Sequence, residues 1–171
     1  SSGPGATNLI TALATAYADS IPLVAITGQV DSHLVGRDVF QEADIRGATE
    51  SFTKYSYLVR SVDDIPRIMK EAFYIASTGR KGPVLIDIPH DIQLKEMEVP
   101  FAYPESVEMR GYKPNHKINA QQMSKVVEAI RKAKKPLICA GGGVILGDGE
   151  EIIRRILTTE NKENGRNQVV F

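Results

Sequence analysis

The chain has 171 residues, 42% of them hydrophobic and 25% charged, which is a globular composition and enough length for one domain or parts of two. Lys plus Arg and Asp plus Glu number 21 each, so no net field exists to hold a polyanion, and nucleic acid is excluded as a natural partner. No run of ~18 apolar residues is available to span a bilayer, and the N-terminus lacks the basic, apolar, small-residue order of a signal peptide, so a soluble chain with no membrane partner is expected. The single cysteine, Cys139, cannot pair internally; in the apolar run Pro136 to Ala140 it reads as a small buried hydrophobe, which suits a reducing, cytoplasmic location.

Ser1-Ser2-Gly3-Pro4-Gly5 is a loop composition of the kind that follows a strand, and no methionine opens the chain, so an upstream segment is expected. Asn8 to Asp19 places Leu9, Ile10, Leu13, Ala16 and Tyr17 near one helical face, with Thr7 or Asn8 as N-cap. Ile21 to Thr27 is a nearly continuous apolar run, as in a parallel strand covered on both faces. Residues 31–47 carry no clear period and read as a long loop, with a short helix near Phe40 to Arg46. Tyr55 to Arg60 has strand character, and Ser61 or Asp63 then caps a helix to about Ser77 with Pro66 in its first turn. After the turn at Gly79 to Pro83, Val84 to Pro89 is a further buried strand, stopped by its proline and Asp91. The order is α/β throughout.

Residues 95–118, rich in proline, tyrosine and charge, read as an interdomain linker. Asn119 caps a helix over Ala120 to Ala133 with Met123, Val126, Val127 and Ile130 as its stripe, and the strand Pro136 to Ala140 ends in Gly141-Gly142-Gly143. A helix over Glu150 to Leu157 and a short strand over Gln168 to Phe171 complete the pattern, too little for a whole domain.

Several motifs carry chemistry. Ser2-Gly3-Pro4-Gly5-Ala6-Thr7-Asn8 sets glycines before a helix start, where backbone N–H groups approach a ligand closely, although a ligand-free tight turn has the same composition. Gln41, taken by itself, reads as a solvated loop residue, Arg80 as a surface arginine and Gly141 to Gly143 as a flexible turn. Gly147-Asp148-Gly149 reads as a surface turn, and His33, His90 and His116 are too scattered for zinc, so no metal ligand is assigned.

The stretches Ser2 to Ile10, Ile21 to Val30, Gly36-Arg37-Asp38-Val39-Phe40-Gln41-Glu42 and Gly79 to Pro89, in this order and spacing, resemble the pyrimidine-binding domain of acetolactate synthase large subunits. Lys135 to Val144 is similar to the start of that family's middle domain. The resemblance implies an α/β fold: the C-terminal part of a thiamine-diphosphate-binding (pyrimidine) domain over 1–94, with a parallel sheet and flanking helices, a linker over 95–118, and the start of a Rossmann-like, FAD-binding middle domain over 119–171. It further implies that Pro4 and Asn8 line the thiamine diphosphate pocket, that Phe40 and Gln41 belong to the catalytic site, and that Arg80, Gly141, Gly142 and Gly143 contact a largely structural FAD. The glutamate that activates the cofactor is implied to lie upstream, and the ligands of its Mg2+ in a C-terminal domain of a second catalytic subunit. An isolated segment of this kind is expected to be inactive, and marginally stable because its sheet keeps an open edge.

The implied reaction joins pyruvate to a second pyruvate, or to 2-oxobutyrate, with release of CO2, in branched-chain amino acid biosynthesis. A small regulatory subunit is an expected partner. Pyruvate oxidase, oxalyl-CoA decarboxylase and glyoxylate carboligase share parts of these motifs, and a truncated, non-catalytic binding module is a further alternative. Asp31 and His90 depart from the family pattern, which commonly has proline and lysine at these positions, and the composition of residues 158–171 does not resemble the family's next helix and strand.

Overall fold

The computed structural model describes residues 2–156 and, as backbone, 168–170. It divides into two compact units, Ser1–Asn115 and His116–Phe171.

In the first unit the helical run near the N-terminus is broken in two, α1 over Pro4–Thr7 and α2 over Ile10–Ala18. Neither Thr7 nor Asn8 is the expected side-chain N-cap. The Thr7 hydroxyl instead donates back to the Pro4 carbonyl at 3.0 Å, inside the first turn, and Asn8 ends α1 rather than starting α2. Strand β1 covers Leu23–Gln29, two residues further on than its apolar run suggests. It is followed by a loop, α3 (Ile45–Thr49), β2 (Tyr55–Leu58), α4 (Ile65–Ser77), β3 (Pro83–Pro89) and α5 (His90–Gln93). Asp44 caps α3 by accepting from the Gly47 amide at 2.9 Å, so that helix starts at the end of the stretch in which a helix was expected.

The sheet order is β1-β3-β2, with both pairings parallel. A parallel strand pairing requires a crossover, and these helices supply it. On one face of the sheet Leu85 packs with Ala6, Leu13, Ala25 and Ile45, from α1, α2, β1 and α3. On the other, Val84 and Ile86 pack with Ile68, Ala72, Ile75 and Ala76 of α4. Those four residues are spaced as one stripe of a helix, which is why α4 lies flat on the strands. The alternation of Val84, Leu85 and Ile86 between faces is the period of a strand, and their burial on both faces is that of a central one.

Residues 95–115 contain no helix or strand, as a linker would, yet they belong to the first unit. Tyr112 explains this. Its hydroxyl donates to the Thr78 carbonyl at 2.7 Å and accepts from Lys54 Nζ at 2.9 Å, and its ring meets Tyr74 edge-on at 6.0 Å. Lys54 also donates to the Ile75 carbonyl, so Lys54 and Tyr112 together satisfy the C-terminal carbonyls of α4.

The second unit holds α6 (Ala120–Lys132), β4 (Leu137–Cys139), α7 (Gly142–Leu146), a helical stretch over 150–156 and β5 (Gln168–Val170), which pairs parallel with β4. Asn119 caps α6 through the Gln122 amide at 3.0 Å, as the sequence indicates. The glycine run, expected as a turn, opens α7 instead, and Asp148 takes a left-handed conformation (φ 52°) in the turn that ends it. No residue of α6 or α7 is buried, and Met123, Val126 and Val127 stand exposed. Cys139 is exposed as well, contrary to the expected burial: among the described residues no buried side chain of α6 or α7 packs over β4. The expectation about residues 158–171 falls outside the described residues except for the backbone of β5.

Candidate functional site

In an open parallel α/β sheet, ligands bind outside the carboxyl ends of the strands, where the connecting loops gather. Here those ends are Gln29 of β1, Leu58 of β2 and Pro89 of β3. Two segments named from the sequence meet there, the opening loop before α1 and residues 30–44 after β1.

Gly3 is buried and left-handed (φ 50°), and a Cβ placed on it would lie 2.5 Å from the Gln41 carbonyl oxygen. Only glycine allows this approach. Gln41 is itself left-handed, at φ 60°. The opening loop and Phe40-Gln41 are therefore in contact, and Pro4, at the start of α1, follows directly from the contact. Pro4, Asn8, Phe40 and Gln41 are all exposed, with Phe40 presenting 89% of its surface. The Phe40 ring and the neutral Gln41 carboxamide thus stand exposed beside the start of α1, while Asn8 closes that helix one turn further on; a carboxamide can orient polar groups of a ligand without adding charge.

The loop is held by carboxylates that sequence reasoning did not single out. Asp91 accepts from the Ser32 amide at 2.8 Å and from its hydroxyl at 2.5 Å, and these bonds hold its carboxyl below the usual range. Glu42 accepts from the amides of Gly36 and Val39; the Gly36 bond leads in lowering its pKa. Asp31 and His90, the two residues that depart from the family pattern, are neighbours, with Asp31 Oδ1 3.1 Å from His90 Nδ1.

Beneath the loop lies a buried polar cluster. Asp87 is 1% exposed and accepts from the Thr27 hydroxyl at 2.7 Å and from Gln29 Nε2 at 3.1 Å. Burial pushes its carboxyl up, against the pull of these two donors. The signal that could have revealed the cluster is local: Thr27 and Gln29 are polar residues on the buried side of an apolar strand, and Asp87 interrupts Val84 to Ile88.

Acidification acts on these groups with opposite signs. Glu42 and Asp91, depressed in the fold, stabilise the loop above the ordinary carboxylate range and lose that contribution as pH falls through their folded values. Asp87, raised in the fold, binds its proton more tightly when folded, so protonation relieves its burial. Amide protection factors at Ser32, Gly36 and Val39 are expected to fall below about pH 4 before those of β3 do, as hydrogen exchange read by NMR would show. Simultaneous loss in loop and strand would contradict this assignment.

Arg80 lies elsewhere. It precedes β3 and so sits at the amino end of the sheet, about 20 Å from the loop side given ~3.3 Å per strand residue. Its Nε donates to the Ser20 hydroxyl at 2.9 Å, and its guanidinium rests over Tyr17 at 5.6 Å beside the carbonyls of Tyr17 and Ala18 that end α2. Gly141, Gly142 and Gly143 belong to the second unit, where a Cβ on any of them would meet nothing within 4 Å among the described residues. Gly141 and Gly142 help line an apolar cleft of about 680 Å³ with Ala140, Val144 and Ile145.

Residues 1–48 match the family described as the thiamine pyrophosphate enzyme, N-terminal TPP binding domain. An acetolactate synthase of Mycobacterium bovis is 52% identical over 155 residues, 91% of this chain and 25% of the relative. The chain is a homologue of acetolactate synthase large subunits. The large subunit of Corynebacterium glutamicum is 51% identical over 90% of the chain, and the isozyme 3 large subunit of Escherichia coli 47% over 84%. The chain spans about a quarter of the length of these acetolactate synthase relatives. Among the described residues no helix is long and apolar enough to cross a membrane.

Proposed function

We propose that the chain supplies the pyrimidine-side half of a thiamine-diphosphate site in an acetolactate synthase catalytic subunit. In this reading the first unit is the C-terminal part of the pyrimidine-binding domain and the second the start of the middle domain. The observation that carries it is the Gly3–Gln41 contact, which sets the opening loop and Phe40-Gln41 on one rim at the carboxyl ends of the sheet. The match of residues 1–48 to the thiamine-pyrophosphate-binding family supports it.

The exposed residues suit that cofactor, being neutral, part apolar and part carboxamide. Bound thiamine diphosphate would supply the electron sink for decarboxylation and carbon–carbon bond formation. The chain's own work is positional. Pro4 and Asn8 would flank the cofactor from α1, Phe40 would wall the reacting centre from water, and Gln41 would orient substrate oxygens by donating from its amide. The substrates in this reading are pyruvate and a second pyruvate or 2-oxobutyrate, with CO2 released. The partners are a second catalytic subunit, whose C-terminal domain would hold Mg2+ and the diphosphate, and a small regulatory subunit, with the assembly in the cytoplasm.

FAD is proposed for the cleft beside Gly141, Gly142 and Gly143, whose open α-carbons leave room for a ligand's approach. Arg80, whose guanidinium holds the end of α2, is proposed as an FAD contact on the strength of the resemblance alone. No step of the reaction is assigned to the flavin.

The test is the full gene product supplied with pyruvate, thiamine diphosphate, Mg2+ and FAD. Acetolactate is the expected product, and Gln41→Ala is expected to lower kcat about 100-fold. Acetyl phosphate, or CO2 with no carbon–carbon bond formed, would overturn the assignment. The 171 residues by themselves are expected to yield no acetolactate.

A further inference from the structure

The loop over residues 30–43 is closed at its base by one side chain. Gln29, the last residue of β1, accepts from the Val30 amide through Oε1 at 2.9 Å and donates through Nε2 to the Ala43 carbonyl at 2.8 Å. One carboxamide thus fastens the first residue of the loop and the last before Asp44, the N-cap of α3. Compact surface loops whose ends lie close together are set by such necks.

A carboxamide can be turned over, which exchanges its donor and acceptor faces. Asp87 removes that freedom. Its Oδ2 takes the second Nε2 hydrogen of Gln29, while its Oδ1 is held by Thr27. With Gln29 reversed, oxygen would face both the Asp87 carboxylate and the Ala43 carbonyl, and an NH2 would face the Val30 N–H. Gln29 is 6% exposed and Asp87 1%, so water is not at hand to repair such a mismatch. The orientation that closes the neck is the one the buried carboxylate enforces.

We propose that Gln29, oriented by Asp87, is a positioning residue that sets the loop carrying Phe40 and Gln41. It touches neither cofactor nor substrate in the arrangement proposed above. It acts by fixing both ends of the segment, so that Gln41 meets Gly3 in one place. The effect on turnover rests on the functional reading given above; the effect on loop order does not.

Two variants of the full gene product test it. Gln29→Met keeps the approximate shape and removes both neck bonds. Gln29→Glu keeps an acceptor for the Val30 amide and replaces the donor to Ala43 with a carboxylate beside Asp87. Both are expected to retain the far-ultraviolet circular dichroism of the parent. In both, amide exchange in residues 31–42 is expected to accelerate at least 10-fold while the amides of β3 keep their protection. Acetolactate turnover is expected to fall at least 10-fold in kcat, with KM for pyruvate changed less than threefold.

Gln29→Glu carries a further readout. A carboxyl facing the buried Asp87 carboxylate is held protonated to higher pH than usual, and its protonated form regains a donor. Loop protection in this variant is expected to return as pH falls toward about 6, before Asp91 and Glu42 begin to take up protons. A residue that served only packing would show no such pH profile, since the change is nearly isosteric. Unchanged loop exchange in Gln29→Met would overturn the proposal whatever the assay reports. Faster loop exchange in a protein whose parent makes no acetolactate would instead leave the neck standing and remove the functional reading. If Gln29→Met does not fold, the pH profile of Gln29→Glu decides the matter, and its absence overturns the proposal.

Discussion

Gly3→Ala is expected to cost about 2–4 kcal/mol of stability and to lower acetolactate turnover about 100-fold or more. The left-handed backbone at φ 50° accounts for part of the stability loss, because a Cβ in that region meets its own following carbonyl. The larger effect is the clash 2.5 Å from the Gln41 carbonyl oxygen. The atoms this Cβ would meet are all backbone atoms of Gln41, so no side chain can rotate away, and either the opening loop or the Gln41 segment must shift. Either shift separates Pro4 from Gln41. Thermal denaturation and steady-state kinetics on the same preparation check both numbers, and an alanine variant with parental turnover would show that the contact is not needed for the reaction.

Leu85→Ala is expected to destabilise the protein by about 3 kcal/mol, and to lower its melting temperature by about 10 °C. Leu85 is 0% exposed, at the centre of β3, and packs against Ala6 of α1, Leu13 of α2, Ala25 of β1 and Ile45 of α3. The cavity would open under the very helix that carries Pro4. Activity should therefore decline at temperatures below the unfolding transition, as α1 loses its seat. Chemical denaturation measures the stability change, and a loss below about 1 kcal/mol would mean that the sheet relaxes around the missing side chain far better than cores usually do.

The order of elements was legible in the sequence because it rests on local patterns. Val84 to Pro89 is a short stretch, apolar but for Asp87 and bounded by turns, and it became the central strand. Asn119 is a capping residue before an amphipathic stripe, and it became a cap. Boundaries were less legible where tertiary contacts override propensity. Nothing in Ile21 to Gln29 says that Gln29 completes β1, because that depends on its pairing opposite Pro89. The start of α3 depends on Asp44, a cap within a polar stretch that reads as loop. The association of Tyr112 with the end of α4 spans 34 residues from Thr78 and has no local signature.

The candidate site shows the same division. Phe40, Gln41, Pro4 and Asn8 were named through resemblance, and the structure brings the opening loop to Gln41 through Gly3, a glycine read for ligand approach or a turn and not for a contact with the later loop. The carboxylates that secure the loop were missed. Ser32 and Asp91 lie 59 positions apart, and no pattern in either neighbourhood announces the other. Asp31 and His90 were noticed one at a time as departures, and only the fold shows that they are adjacent.

The neck at Gln29 has a consequence for how this segment can diverge. A loop fastened at its base by a single carboxamide behaves as a cassette: its interior can be rewritten by mutation while the frame beneath keeps its register. Positions other than Phe40 and Gln41 are then free to change so long as their partners on the rim change in step, and Asp31 with His90 is one such pair. Grafting residues 30–43 between distant relatives should therefore succeed most readily when the residue at position 90 travels with them.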